Sequence, residues 1–79
     1  MKVAVVGAGS TYTPELVDGL LRHRSRLPVD RLWLIDPDER RLSILAGFVA
    51  RMAAAAEAHI AVEPTTHLDD GVRDAALVF

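Results

Sequence analysis

A chain of 79 residues with no cysteine and a net charge of −2 excludes a disulfide framework and any Cys-based metal site, and offers no electrostatic grip on nucleic acid. Apolar residues make up 51% of it and aromatic ones only 5%, as in an α/β core built from Val, Leu, Ile and Ala. Its apolar runs fall far short of the about 20 residues that cross a membrane.

Lys2 to Val6 is a short, valine-rich run suited to a strand buried on both faces of a parallel sheet. Gly7-Ala8-Gly9 ends it, too early for the apolar stretch of a secretion signal, so a cytoplasmic protein is expected. A helix from Pro14 to about Arg24 follows, with Thr13 as its N-cap and proline at the first helical position. Leu16, Val17, Leu20 and Leu21 form its apolar stripe. Arg22, His23, Arg24 and Arg26 crowd its end, either as a phosphate patch or, the preferred reading, as solvated cations at a negative helix terminus.

Leu27 to Asp30 is a turn, and Arg31 to Ile35 reads as the second buried strand. A long helix from about Pro37 to Glu57 follows, with Leu42, Leu45, Ala46, Val49, Met52, Ala53 and Ala56 on its apolar face and Gly47 as a possible point of close helix–sheet approach. His59 to Glu63 is a third strand ended by Pro64, Leu68 to Val72 is one helical turn, and a fourth strand begins near Ala75. This alternation predicts a Rossmann-like parallel sheet, wound right-handedly, with flanking helices. The chain stops within its last strand, so residues 1–79 are read as the amino-terminal part of a Rossmann-type NAD-binding domain in a longer protein.

The strand–glycine turn–helix start is the geometry in which amide groups and the helix dipole converge on a phosphate. Gly7 permits the sharp turn out of the strand, and Gly9 lets a pyrophosphate approach the backbone. The dinucleotide fingerprint wants a third glycine at position 12, where this chain has Tyr12. Ser10 and Thr11 offer hydroxyls in its place, and a tyrosine packed under the loop is the simplest arrangement for Tyr12. Asp36, at the end of strand two, can accept from both ribose hydroxyls of an adenosine and repel a 2′-phosphate, favouring NAD over NADP. It could equally be an N-cap with Glu39 reaching back; the ribose role is preferred. His23, His59 and His67 read as surface residues without metal-ligand spacing.

The run Gly7-Ala8-Gly9-Ser10-Thr11-Tyr12-Thr13-Pro14-Glu15-Leu16-Val17, then Leu27-Pro28-Val29 and Leu32-Trp33-Leu34-Ile35-Asp36, resembles the amino-terminal segment of family 4 of the glycoside hydrolases, most of all its 6-phospho-β-glucosidase branch. The resemblance implies a fold like that of lactate and malate dehydrogenases, bound NAD, and a divalent metal, usually manganese. It implies cleavage of a phosphorylated glycoside by oxidation at C3, loss of the C2 proton, elimination at C1, addition of water and return of the hydride. The metal ligands, a cysteine and a histidine, and a tyrosine base are implied beyond position 79. The positions that carry over are Gly7, Ala8, Gly9, Ser10, Thr11 and Tyr12 around the pyrophosphate and Asp36 at the ribose. A homo-oligomer, dimer or tetramer, is implied as well.

Two other classes share the opening motif. A lactate/malate-type NAD-dependent dehydrogenase would normally keep Gly or Ala at position 12. A non-catalytic nucleotide-sensing Rossmann module would be a complete domain of modest length.

Overall fold

Branched aliphatic side chains fill the two five-residue runs ending at Val6 and Ile35, and these runs become the centre of the sheet. In the computed structural model, which describes residues 1–79, the elements follow as β1 (Lys2–Val6), α1 (Thr13–Arg22), β2 (Arg31–Ile35), α2 (Glu39–Ala55), β3 (Ala61–Thr65), α3 (Leu68–Val72) and β4 (Leu77–Val78). All strands are parallel, in the order β3-β2-β1-β4, with Val3 opposite Leu32 and Leu77. This is the expected Rossmann-like arrangement.

Successive side chains of a strand face opposite ways. Val3, Val5, Leu32 and Leu34 therefore join Val17, Leu20 and Leu21 of α1 and Leu42, Ala46 and Val49 of α2 in one buried core. Lys2, Ala4, Trp33 and Ile35 turn to the other face, where α3 lies against β2 and β1. A Cβ on Gly71 of α3 would run into Ile35 Cδ1, so glycine is what lets this short helix reach the sheet. Gly47, the expected point of close approach, instead meets only the tip of Arg51 at 3.5 Å.

Lys2 is 5% exposed. Its ammonium donates to the carbonyls of Asp70 (3.1 Å) and Arg73 (2.7 Å) at the end of α3 and lies 4.3 Å from the Trp33 ring centroid. A buried cation is tolerable because helix-end carbonyls and an aromatic face replace its water.

Several boundaries differ from expectation. Pro64 does not end β3 but sits inside it, opposite Leu34. The ladder bonds use odd-numbered neighbours: Ala61 N donates to Asp30 O, and Thr65 O accepts from Asp36 N. Pro64 therefore turns its nitrogen to the open edge, where a missing N–H costs no ladder bond. β3 consequently runs Ala61–Thr65, shifted from His59–Glu63. α2 starts at Glu39 rather than Pro37 because Asp38 is its N-cap, accepting from Arg41 N at 3.1 Å. It stops at Ala55, where Ala58 N reaches Ala53 O and Glu57 N reaches Ala54 O, with Glu57 left-handed at φ 55°. α1 ends at Arg22, and Arg24 beyond it donates to the carbonyls of Leu21 and Ala56, so this cation serves two helix ends. Asp74, also left-handed at φ 58°, turns the chain after α3 and delays β4 to Leu77.

Candidate functional site

β1 and β2 end side by side, with Val6 opposite Ile35, and the loop after β1 folds over that junction. Gly7 adopts φ 74°, a left-handed value that only glycine takes without strain, and Ser10 N closes the turn on Gly7 O at 3.1 Å. Ala8 is fully buried, its amide held by Ile35 O at 2.9 Å. Thr13 is not the N-cap of α1. Tyr12 takes that position without a capping side chain, while Thr13, fully buried in the first helical turn, donates its hydroxyl to Ala8 O at 2.9 Å. The loop is thereby tied at Ala8 to both β2 and α1.

Asp36 leaves β2 at the same corner. Its Oδ2 accepts from Gly9 N at 2.8 Å and its Oδ1 from Asp38 N at 2.9 Å. It does not cap α2, since Asp38 does; it links the glycine loop to the turn that leads into that helix. A Cβ on Gly9 would sit 2.8 Å from Asp36 Oδ2 and 3.3 Å from Arg41 Cβ. A side chain at this position would therefore displace the Asp36 carboxylate. Arg41, on the first turn of α2, is brought to the same corner; the sequence offers Arg40 or Arg41 either a place along the adenine or, the preferred reading, a solvated helix face.

Ser10 Oγ accepts from Tyr12 N at 3.4 Å, and Thr11 is exposed. The Thr11 amide makes no hydrogen bond within the chain. Tyr12 is not packed under the loop: its ring is 46% exposed and its hydroxyl donates to Val6 O at 3.1 Å, bridging the glycine turn from outside. Gly7 through Tyr12 and Asp36 therefore meet in one place, above the carboxyl ends of two parallel strands, where nucleotides lie in open α/β sheets. His23, His59 and His67 are exposed. No group of three or more His, Cys, Asp or Glu side chains gathers at metal-ligand distance in the chain, and no helix is long and apolar enough to cross a membrane.

The sequence profile described as family 4 glycosyl hydrolase matches residues 2–79. The chain belongs to that family. Among glycosyl hydrolases of family 4, the 6-phospho-β-glucosidase of Escherichia coli K12 is 34% identical over 80 aligned residues, covering 99% of this chain and 18% of that enzyme. A 6-phospho-β-glucosidase structure from Thermotoga maritima, solved with manganese, NAD+ and glucose-6-phosphate, superposes with a TM-score of 0.88 at 36% identity over 99% of this chain and 19% of that one. A 6-phospho-α-glucosidase structure from gut microorganisms, in complex with NAD and glucose-6-phosphate, gives a TM-score of 0.92 at 31% identity, covering 99% and 18%. The chain thus spans about 18% of the length of the curated relatives that it matches end to end. For this family 4 chain the likeness extends through every element, β1 to β4.

Proposed function

We propose that residues 1–79 form the amino-terminal, NAD-holding part of a longer family 4 enzyme that hydrolyses 6-phospho-β-glucosides. The observation that carries this reading is the corner where Gly9 and Asp36 meet beside the anchored Ala8. A glycine packed against the Asp36 carboxylate, an exposed turn with an uncommitted amide at Thr11, and that carboxylate at the end of β2 together fit a dinucleotide. The family places this chain apart from the dehydrogenase and nucleotide-sensor classes that share the opening motif.

With Gly9 N committed to Asp36, the diphosphate falls to the Thr11 amide and the hydroxyls of Ser10 and Thr11, at the positive end of α1. Asp36 retains lone pairs for the ribose hydroxyls of the adenosine half, since a carboxylate offers about four acceptor positions. Its negative charge disfavours a 2′-phosphate, which selects NAD. Tyr12 flanks the turn on the β1 side, and Arg41 stands beside Asp36. When bound, NAD supplies a hydride acceptor for oxidation at C3 of the sugar and returns the hydride after elimination at C1. The metal, for which this chain has no ligand cluster, belongs to residues outside it. We further place the enzyme in the cytoplasm as a homo-oligomer, a dimer or a tetramer.

The test is made on the enzyme at its relatives' length. It should release aglycone from an aryl 6-phospho-β-glucoside only with both NAD and Mn²⁺ present. Undiminished release after both are stripped overturns the reading.

A further inference from the structure

The carboxylate of Asp36 touches the loop and the start of α2 before any ligand arrives. Oδ2 holds Gly9 N at 2.8 Å and Oδ1 holds Asp38 N at 2.9 Å, one oxygen for each segment. Both bonds have a carboxylate as acceptor, a feature of the stronger class of hydrogen bond. Gly9 N and Asp38 N have no other partner: neither makes a backbone bond, and Pro37, between Asp36 and Asp38, has no N–H. The contact is so close that a methyl group on Gly9 would strike the same oxygen.

We propose that Asp36 is a positioning residue for the dinucleotide's diphosphate, acting through Gly9, in addition to any contact that it makes with the ribose. The inference rests on the NAD reading above and deepens it. Asp36 draws Gly9 N inward and so holds the Ala8–Gly9 peptide from the β2 side. The Ser10–Thr11 peptide, which carries the Thr11 amide, is held at its carbonyl by Thr13 N at 3.2 Å. Asp36 thus sets the entry to the turn and α1 its exit. Without the carboxylate, Gly9 N loses its partner, and the turn Gly7–Tyr12 is left to its ties at Gly7 O, at Ala8, at the carbonyls of Ser10 and Tyr12, which accept from Thr13 N and Leu16 N, and at the Ser10 and Tyr12 hydroxyls. The phosphate donors are then held at the α1 side alone, and binding must meet the cost of ordering the freed entry.

A cycle of protein and ligand changes separates the two roles. The full-length enzyme and its Asp36→Ala variant are titrated calorimetrically with NAD and with an NAD analogue carrying 2′,3′-dideoxyadenosine, which keeps the diphosphate and lacks the hydroxyls. We expect Asp36→Ala to weaken the analogue about tenfold, a charge-assisted hydrogen bond's worth, and NAD more than that. Hydrogen exchange without ligand should rise over Gly7–Thr13 and Asp38–Arg41 and stay unchanged in β3 and α3, which a general loss of stability would not produce. If Asp36→Ala does not fold, Asp36→Asn, which keeps one acceptor oxygen, serves in the same comparison with a smaller loss expected. Equal affinity of variant and wild type for the analogue, with NAD alone weakened, overturns the proposal and leaves the ribose role intact. Failure of the wild-type enzyme to bind NAD overturns the underlying reading as well.

Discussion

At the scale of single residues, the arrangement depends on polar groups that reach far along the chain. Thr13 spends its hydroxyl on Ala8 O instead of on a helix cap. A capping serine or threonine satisfies an orphan amide of its own helix; here the same chemistry satisfies a carbonyl of the preceding loop. The sequence pattern Thr-Pro-Glu allows both, and only burial distinguishes them. Lys2 is a harder case, because its acceptors at Asp70 and Arg73 become visible only when α3 is seen crossing the end of β1. Asp30 shows the ordinary behaviour of an exposed pair. Its hydrogen bond from the Met1 ammonium at 2.8 Å is the main cause holding its carboxyl below the usual aspartate value, with Arg31 adding to it. A carboxylate depressed in the folded state contributes stability above its unfolded pKa and loses it as pH falls through the folded value. Acetylation of Met1 should therefore raise the Asp30 pKa, read by carboxyl NMR titration. The accompanying small stability difference, present near about pH 6, should close below about pH 4.

At the scale of elements, most of the strands and helices are legible in the pattern of apolar residues, and the departures have local causes. The faces of α1 and α2 follow from spacing, with Val17, Leu20, Leu21, Leu42, Ala46, Val49 and Ala53 all buried. The place of Pro64 is not legible, because a proline reads as a strand end until β3 is known to be an edge. Gly71 is missed for a similar reason: nothing in Asp-Asp-Gly-Val shows that Ile35 waits beneath it. The end of α2 was placed two residues late because Glu57 occupies a left-handed position that usually falls to glycine. This yields a direct expectation. Glu57→Gly should raise stability by about 0.5–1 kcal/mol, read from the midpoint of urea unfolding, since the left-handed penalty for a residue with a Cβ exceeds the entropy that glycine loses.

At the scale of the whole molecule, the candidate site was legible as a set of residues and not as a network. Gly7, Gly9 and Asp36 announce themselves by type and by position after strands; that Gly9 N would already be held by Asp36 follows only from the lateral fit of β1 against β2. The order β3-β2-β1-β4 also ranks the strands by protection. Within residues 1–79, β1 and β2 have a partner on each side, whereas β3 and β4 are paired on one side and β4 over only two residues. Amide exchange should accordingly be slowest in Val3–Val5 and Leu32–Leu34 and faster in Ala61–Thr65 and Leu77–Phe79, as measured by mass spectrometry. Equal protection in all four strands would contradict this topology. The central position of β1 has a further consequence during synthesis. β1 is synthesised well before Leu77 and Val78, which supply its second flank. Until those residues emerge, the carbonyls and amides on that flank have only water or a chaperone to meet, and the nascent corner above Val6 waits for Phe79 O to reach Val6 N.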